Sequence, residues 1–474
     1  MLQTKEIRSL AVILAAMIAL FFLAVSAAGA AESLEDAWAV ASSVNHSIHA
    51  ARWETAAACQ RYEAARAEQM PMISGSAQYR VLDNPVTVNA HLPPNPLMPQ
   101  GATLPMQVMQ QDFLISGVDL TQPIYTFGRL QNQISAAAYN VRAERSDQRT
   151  IELDLRLQVS QAYVNVLTAQ HVLDVANISI LSLKKHLNDV KNLLDQGVVV
   201  RNDYLAVEVS LAKAEQSKIY AENLLKLTRA TYNRLLLRSL EAPVELQDLR
   251  EPNESYDIEL LTQQAIALRP ELTTISAQAT SLDRMACSVE ASHKPQLSLS
   301  GRFDYIGNDY LQRQGYTSVG LVGKWNLFDA GRVHHQAGEY RRKAAALRQQ
   351  RADTETFISL QVRQAWLDLD TTRRQLAVNR KAITSADENF SVAANRYKEG
   401  VGTNTEVLDA ERLRTETYSN FYTSRYATVL AQMKLKRAVG TFGPLSGESA
   451  LGISMPKPVR LPLKQPDSIA PPAR

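Results

Sequence analysis

The sequence predicts a mixed α/β membrane protein, internally duplicated, whose β-strands and very long α-helices complete shared barrels only when several chains assemble. Three observations lead there. The second half overlays the first at a fixed offset. Two segments hold a 3.5-residue apolar period far beyond the length of an ordinary helix. Four short runs alternate apolar and polar residues with the period of a strand.

Composition narrows the field first. The 474 residues suffice for two or three ordinary domains or one very elongated one. Charged residues make up 21%, and 51 Lys and Arg against 48 Asp and Glu leave only +3. A nucleic-acid binder would need a basic surplus on one face, so no nucleic-acid partner is expected. Two cysteines support neither a disulfide framework nor a zinc ribbon. Gly and Pro, at 19 each, are scarce enough to allow long unbroken helices.

Residues 1–30 read as a signal peptide. Lys5 and Arg8 precede an apolar run from Leu10 to Val25, and Ala28-Gly29-Ala30 supplies a small-residue cleavage site. Beyond residue 31 no segment is expected to provide the ~20 apolar residues of a membrane helix. An exported chain of this kind either stays soluble or enters an outer membrane as β-strands.

The duplication has an offset of 203 from about residue 118 to 237. It lays Leu157–Tyr163 on Leu360–Trp366 and Gly197-Val198 on Gly400-Val401. Upstream the offset becomes 224, placing Pro71 on Pro295; the Pro-rich stretch 83–109 takes up the difference as a variable loop. The first repeat spans 31–240 and the second 255–440, each with a helix, two strands, a very long helix, a tight turn and a last helix. A Pro-rich tail fills 441–474. In the first long helix Val159, Ala162, Val166, Ala169, Leu173, Ala176, Ile180, Leu183, Leu187, Val190 and Leu194 step by three and four. The second ladder runs from Val362 to Tyr397 with polar interruptions at Thr372 and Asn379. Such a period means coiled-coil packing. An ordinary antiparallel bundle accounts for the ladders equally well.

The strands decide between these. The expected segments are 72–82, 114–124, 296–305 and 317–327, each close to the 9–11 residues that cross a bilayer as β-structure. Ile73, Gly75, Ala77, Tyr79 and Val81 alternate with Ser74, Ser76, Gln78 and Arg80. Aromatics such as Tyr79, Tyr125, Tyr305 and Trp325 fall near strand ends, where interfacial girdles lie. Four strands cannot close a barrel, and an open edge in lipid leaves backbone groups unpaired. Oligomerisation is therefore required.

With these residues in view, the chain resembles the TolC-like outer-membrane efflux family over essentially its whole mature length. The resemblance rests on the strand-to-helix corners Pro123-Ile124-Tyr125-x-x-Gly128 and Asn326-Leu327-Phe328-x-x-Gly331, on Pro71 and Pro295, and on the turn from Arg396 to Ala410. It implies a homotrimer with a twelve-stranded outer-membrane barrel continued by a periplasmic α-helical barrel. It further implies an exit duct for a tripartite efflux pump or type I secretion system. The partners would be outer-membrane lipid, a periplasmic membrane-fusion adaptor and, through it, an inner-membrane transporter. The alternative is a periplasmic coiled-coil adaptor or scaffold without a pore.

No P-loop, G-x-S-x-G or H-E-x-x-H is present, so neither an enzyme nor a cofactor or metal site is expected. The close pairs His46/His49 and His334/His335 read as surface histidines. Two tight turns, near 197–202 and 400–404, carry the candidate docking residues Gly197, Val198, Val199, Gly400, Val401 and Gly402. The resemblance implies that they meet the adaptor's helical hairpins. It also implies a gate in which Asp203 accepts a hydrogen bond from Tyr397, with Gly402 standing where relatives often carry arginine. Glu406 and Asp409, three apart, share one helix face. Thr403 to Glu406 has capping-box spacing, which explains Glu406 as a cap but Asp409 less well. In a trimer the two would form acidic rings that gather cations.

Overall fold

The computed structural model describes residues 31–94, 96 and 99–442. The expected signal peptide and all but the first two residues of the expected tail lie outside this set. The described residues contain eight helices and six strands. They are α1 (Leu34–Val44), α2 (His46–Ala67), β1 (Met72–Val81), β2 (Thr87–Leu92), β3 (Ala102–Gln107), β4 (Asp112–Tyr125), α3 (Arg129–Asp195) and α4 (Arg201–Leu235). The second half follows with α5 (Ile258–Leu268), α6 (Pro270–Ala291), β5 (Gln296–Ile306), β6 (Gly315–Lys324), α7 (Arg332–Lys398) and α8 (Asn404–Val439). Both α3 and α7 are 67 residues long.

Two compact units cut across the repeats. One comprises His46–Glu152 and Pro270–Thr356; the other holds the described parts of Met1–Asn45, Leu153–Arg269 and Phe357–Arg474.

In the first unit, β1, β4, β5 and β6 form one antiparallel sheet in the order β1-β4-β5-β6. Met72 pairs with Thr121, Val118 with Phe303, and Leu299 with Leu321. Pro123 lies at a register shift of β4, where a proline does least harm to an inner strand. β1 and β6 are exposed along their whole length. The apolar face is bare, with Ile73, Tyr79, Val319 and Leu321 among its exposed residues. β6 stops at Lys324 rather than 327, and the turn into α7 follows at 329–331. Asp329 accepts the amides of Gly331 and Val333, and Ala330 and Gly331 both take positive φ.

The stretch 83–109 is not a plain loop. β2 and β3 pair as a separate hairpin, with Val88 opposite Met106 and Ala90 opposite Leu104. Asn308, fully buried in the β5–β6 connection, braces its base by donating to the Val108 carbonyl and accepting from the Gln110 amide.

The helices of this unit approach closely through alanine, with Ala136, Ala143, Ala277, Ala286 and Ala337 all buried. A hydroxyl ladder crosses the contact at heptad spacing. Thr274, Ser281 and Ser288 of α6 donate to the carbonyls of Ala143, Ala136 and Arg129 on α3, at 3.5, 2.9 and 2.9 Å. Small residues permit the approach, and the hydroxyls hold the register.

The other unit buries the long ladders. None of the eleven residues from Val159 to Leu194, nor of their counterparts from Val362 to Tyr397, is exposed. The polar interruption Asn379 donates to Ser424 Oγ and the Asn420 carbonyl. The duplication persists in the capping. α1 and α2 break at Asn45, whose amide donates to the Leu235 carbonyl at the end of α4. α5 and α6 break at Arg269, which donates to the Ala438 carbonyl near the end of α8. Around Glu32, the Tyr163 hydroxyl meets the backbone, Tyr232 bonds the carboxylate, and Arg238 clasps it at 2.6 and 2.8 Å.

One expectation is corrected here. A stretch of 18 residues within α3 is apolar enough by composition to cross a membrane, although only a third of it is buried in this chain. The cause is the coiled-coil ladder that α3 carries, since an apolar seam raises hydropathy without implying a span.

Candidate functional site

The residues singled out from the sequence gather where the turns α3–α4 and α7–α8 lie, within one compact unit. Val190, Val207, Ala393, Tyr397, Val407 and Ala410 form a buried cluster drawn from all four helices. Leu187, Leu193, Val199, Tyr204 and Phe390 pack against it.

The two turns have the same build. α3 ends at Asp195 and α4 begins at Arg201; α7 ends at Lys398 and α8 begins at Asn404. Gly197 and Gly400 take φ of +75° and +76°, the left-handed conformation that closes a helix and that only glycine adopts cheaply. The next residues, Val198 and Val401, are 63% and 65% exposed, while Val199 turns back onto the cluster. Capping differs between them. Thr403 accepts the Glu406 amide at 3.3 Å, whereas Val200 offers α4 no side-chain cap. Gly402 has an ordinary φ, yet a Cβ there would sit 3.0 Å from both Arg396 Cβ and Tyr397 N. The close return of the chain onto α7 favours glycine at 402, since any larger side chain would have to displace the end of α7 slightly.

Glu406 and Asp409 are both exposed. Glu406 lies 3.6 Å from Arg396 and Asp409 lies 3.9 Å from Arg412. The expected bond between Asp203 and Tyr397 is not made. Tyr397 is 6% exposed, and its buried hydroxyl has no hydrogen-bond partner. Burial and the nearby Asp203 charge push that hydroxyl's pKa up. Its ring packs edge-on against His186, with centroids 5.3 Å apart.

The link between the repeats runs through residues that sequence reasoning missed. Asn404 Oδ1 lies 2.8 Å from His186 Nε2, and Asn404 Nδ2 donates to the Asp203 carbonyl at 3.0 Å. Further along α8, buried Glu411 accepts from Ser182 of α3 at 3.0 Å. Arg414 reaches both Glu411 and Asp387, and Tyr418 donates to Asp387. Burial raises the Glu411 pKa, opposed by Ser182 and Arg414, and lowers that of His186. An open groove of about 490 Å³ runs beside these groups, with Ile178, Leu181, Phe390 and Tyr397 in its lining. The available signal was positional: Asn404, Val407 and Glu411 are spaced three and four apart, which puts two polar residues on a buried stripe.

Comparison with known proteins bears on the fold and the family. The family model described as "Outer membrane efflux protein" matches residues 40–236 and 261–441. The outer membrane efflux protein BepC of Brucella suis is 20% identical over 333 residues, covering 68% of this chain and 71% of its own length. The cation efflux system protein CusC of Escherichia coli is 23% identical over 349 residues, covering 69% of this chain and 72% of its own. A crystal structure of CusC superposes with a TM-score of 0.71 at 18% identity, over 86% of this chain and 92% of that one. The fold is thus that of the helix-rich α/β outer-membrane channels. The chain belongs to the outer membrane efflux protein family and is an outer-membrane exit duct for efflux.

Proposed function

We propose that three copies of the chain close their four-stranded sheets into one twelve-stranded barrel in the outer membrane. Their long helices then form a periplasmic conduit. The observation that carries this reading is the pair of free edges: β1 and β6 end the sheet, and both are exposed throughout. Lipid cannot satisfy those backbone groups, so β1 of one copy pairs with β6 of the next. The apolar face of the closed sheet meets lipid. An exposed apolar stripe on α4, including Leu205, Val209, Leu224 and Leu227, meets a neighbouring copy.

In this assembly the turns at Gly197–Val199 and Gly400–Gly402 form the periplasmic tip. They dock a membrane-fusion adaptor, which couples the duct to an inner-membrane transporter of an efflux or type I secretion system. Glu406 and Asp409 stack as two acidic rings, giving cation selectivity. No enzymatic step is involved; the protein positions a gated passage.

The test is purification from the outer membrane followed by mass determination in detergent and recording in planar bilayers. A trimer that conducts, with multivalent cations blocking from the tip side, supports the reading. A monomer soluble in the periplasm overturns it in favour of a scaffold without a pore.

A further inference from the structure

Asn404 opens α8 and is 4% exposed, yet it does no local work there, because Thr403 caps the helix. Both ends of its amide are directed across the repeat boundary. The donor satisfies the Asp203 carbonyl on α4, which leaves Oδ1 to accept from His186 on α3. His186 is therefore the tautomer with its proton on Nε2. The Tyr397 ring of α7 fixes the plane of the imidazole. One side chain thus ties the α7–α8 turn to both helices of the α3–α4 turn. The duplication does not repeat it: the residue one offset earlier, Arg201, is exposed.

We infer that Asn404 is the positioning residue of the resting gate, with His186 as its oriented partner, so that the two helical turns separate only when its two hydrogen bonds break. This rests on reading the turns as the closed end of the duct. Glu406 and Asp409 sit on the first turns of α8, so the residue that anchors the start of α8 also sets where the acidic pair stands.

Full-length wild type, Asn404→Ala and Asn404→Asp are compared as purified protein in planar bilayers at pH 8 and pH 5. Loss of both bonds in Asn404→Ala raises the open fraction on the order of tenfold at either pH. Asn404→Asp separates a clamp from a generic packing role. At pH 8 its carboxylate faces the Asp203 carbonyl without a donor, and the gate loosens. At pH 5 the fraction of carboxyls that burial keeps protonated donates again, and the gate tightens relative to pH 8. Other charged or titratable groups beside the site are Lys185 and Asp189 on α3, Asp203 on α4, Tyr397 and Lys398 on α7, and Arg414 on α8. The wild type at both pH values controls for them, as it does for His186 itself. Should the wild type not conduct, the duct reading fails and takes the inference with it. Conducting wild type with both variants unchanged overturns the clamp alone. A variant response at pH 5 and pH 8 identical to wild type assigns the titration elsewhere and overturns it too.

Discussion

Arg396, in the last turn of α7, faces Glu406 in the first turn of α8 across the α7–α8 turn, with Nη1 and Oε2 3.6 Å apart. Arg396 also donates to the Val401 carbonyl, so its position is held by the turn itself. Both side chains are about half exposed, and pairs of that kind contribute no more than about 1 kcal/mol. The arginine offsets the field of the carboxylate without consuming it.

That relationship predicts opposite effects from the two partners. Glu406→Gln with Asp409→Asn should weaken cation selectivity and multivalent-cation block together. Arg396→Gln should strengthen both. Reversal potentials in a salt gradient measure this directly, and assembly should be unaffected in each case. Wild-type selectivity in the double variant would leave the acids as helix caps.

Val198 and Val401 are exposed tips on otherwise well-packed turns, so a charge there disturbs contact with a partner rather than the core. Val198→Asp or Val401→Asp should abolish export while the oligomer forms normally. Export assays beside electrophoresis of the unheated oligomer check the pair, and normal export by both would remove the turns from the docking surface.

Tyr397 offers a cleaner test because its hydroxyl is buried without a partner. Removing an unsatisfied polar group relieves a desolvation cost, so Tyr397→Phe should leave stability unchanged or raise it by about 1 kcal/mol. Conductance should not change, nor should it in Asp203→Ala, whose carbonyl still accepts from Asn404. A marked rise in conductance from Tyr397→Phe would restore the tyrosine to the gate.

His186 and Glu411 give the tip opposing responses to pH. Burial lowers the His186 pKa below its ordinary 6.5, so below that value the unfolded chain binds the proton first. The contribution is complete above 6.5 and is lost as pH falls through the lowered value. Glu411 is raised above its ordinary 4.5, so folding takes up a proton and its contribution fades as pH rises through the raised value. Protection of the amides of residues 182–190 against exchange, corrected for the intrinsic rate and measured from pH 4 to 8, should rise above pH 6.5 in Glu411→Gln more than in wild type. His186→Gln should flatten the acid limb.

Much of the fold was legible because it is periodic. The Val159–Leu194 ladder and the alternation in Ile73–Val81 report faces, and faces follow from spacing alone. The β2–β3 hairpin was not legible, because Pro105 and the surrounding prolines argue against a strand; a two-stranded hairpin with open edges tolerates them. The turns were readable from Gly197 and Gly400, whose φ demands glycine. The His186–Asn404 contact joins residues 218 apart, and its existence depends on how two helical hairpins are registered. Periodicity shows which side of each helix is buried, not which residue it meets there. For the same reason the Asp203–Tyr397 bond, implied by resemblance, gave way to one through Asn404.

The pairing of β4 with β5 joins strands that the chain delivers far apart. Arg302 on β5 bonds Asp119 on β4, 183 residues earlier in the chain. In chain order all of α3, α4, α5 and α6 lies between β4 and its second neighbour. Should β1 and β4 pair before β5 arrives, they would form a lone hairpin with an unsatisfied edge, the form of β-structure most prone to join the wrong partner. Truncations ending between β4 and β5 should accordingly be the most aggregation-prone of any series.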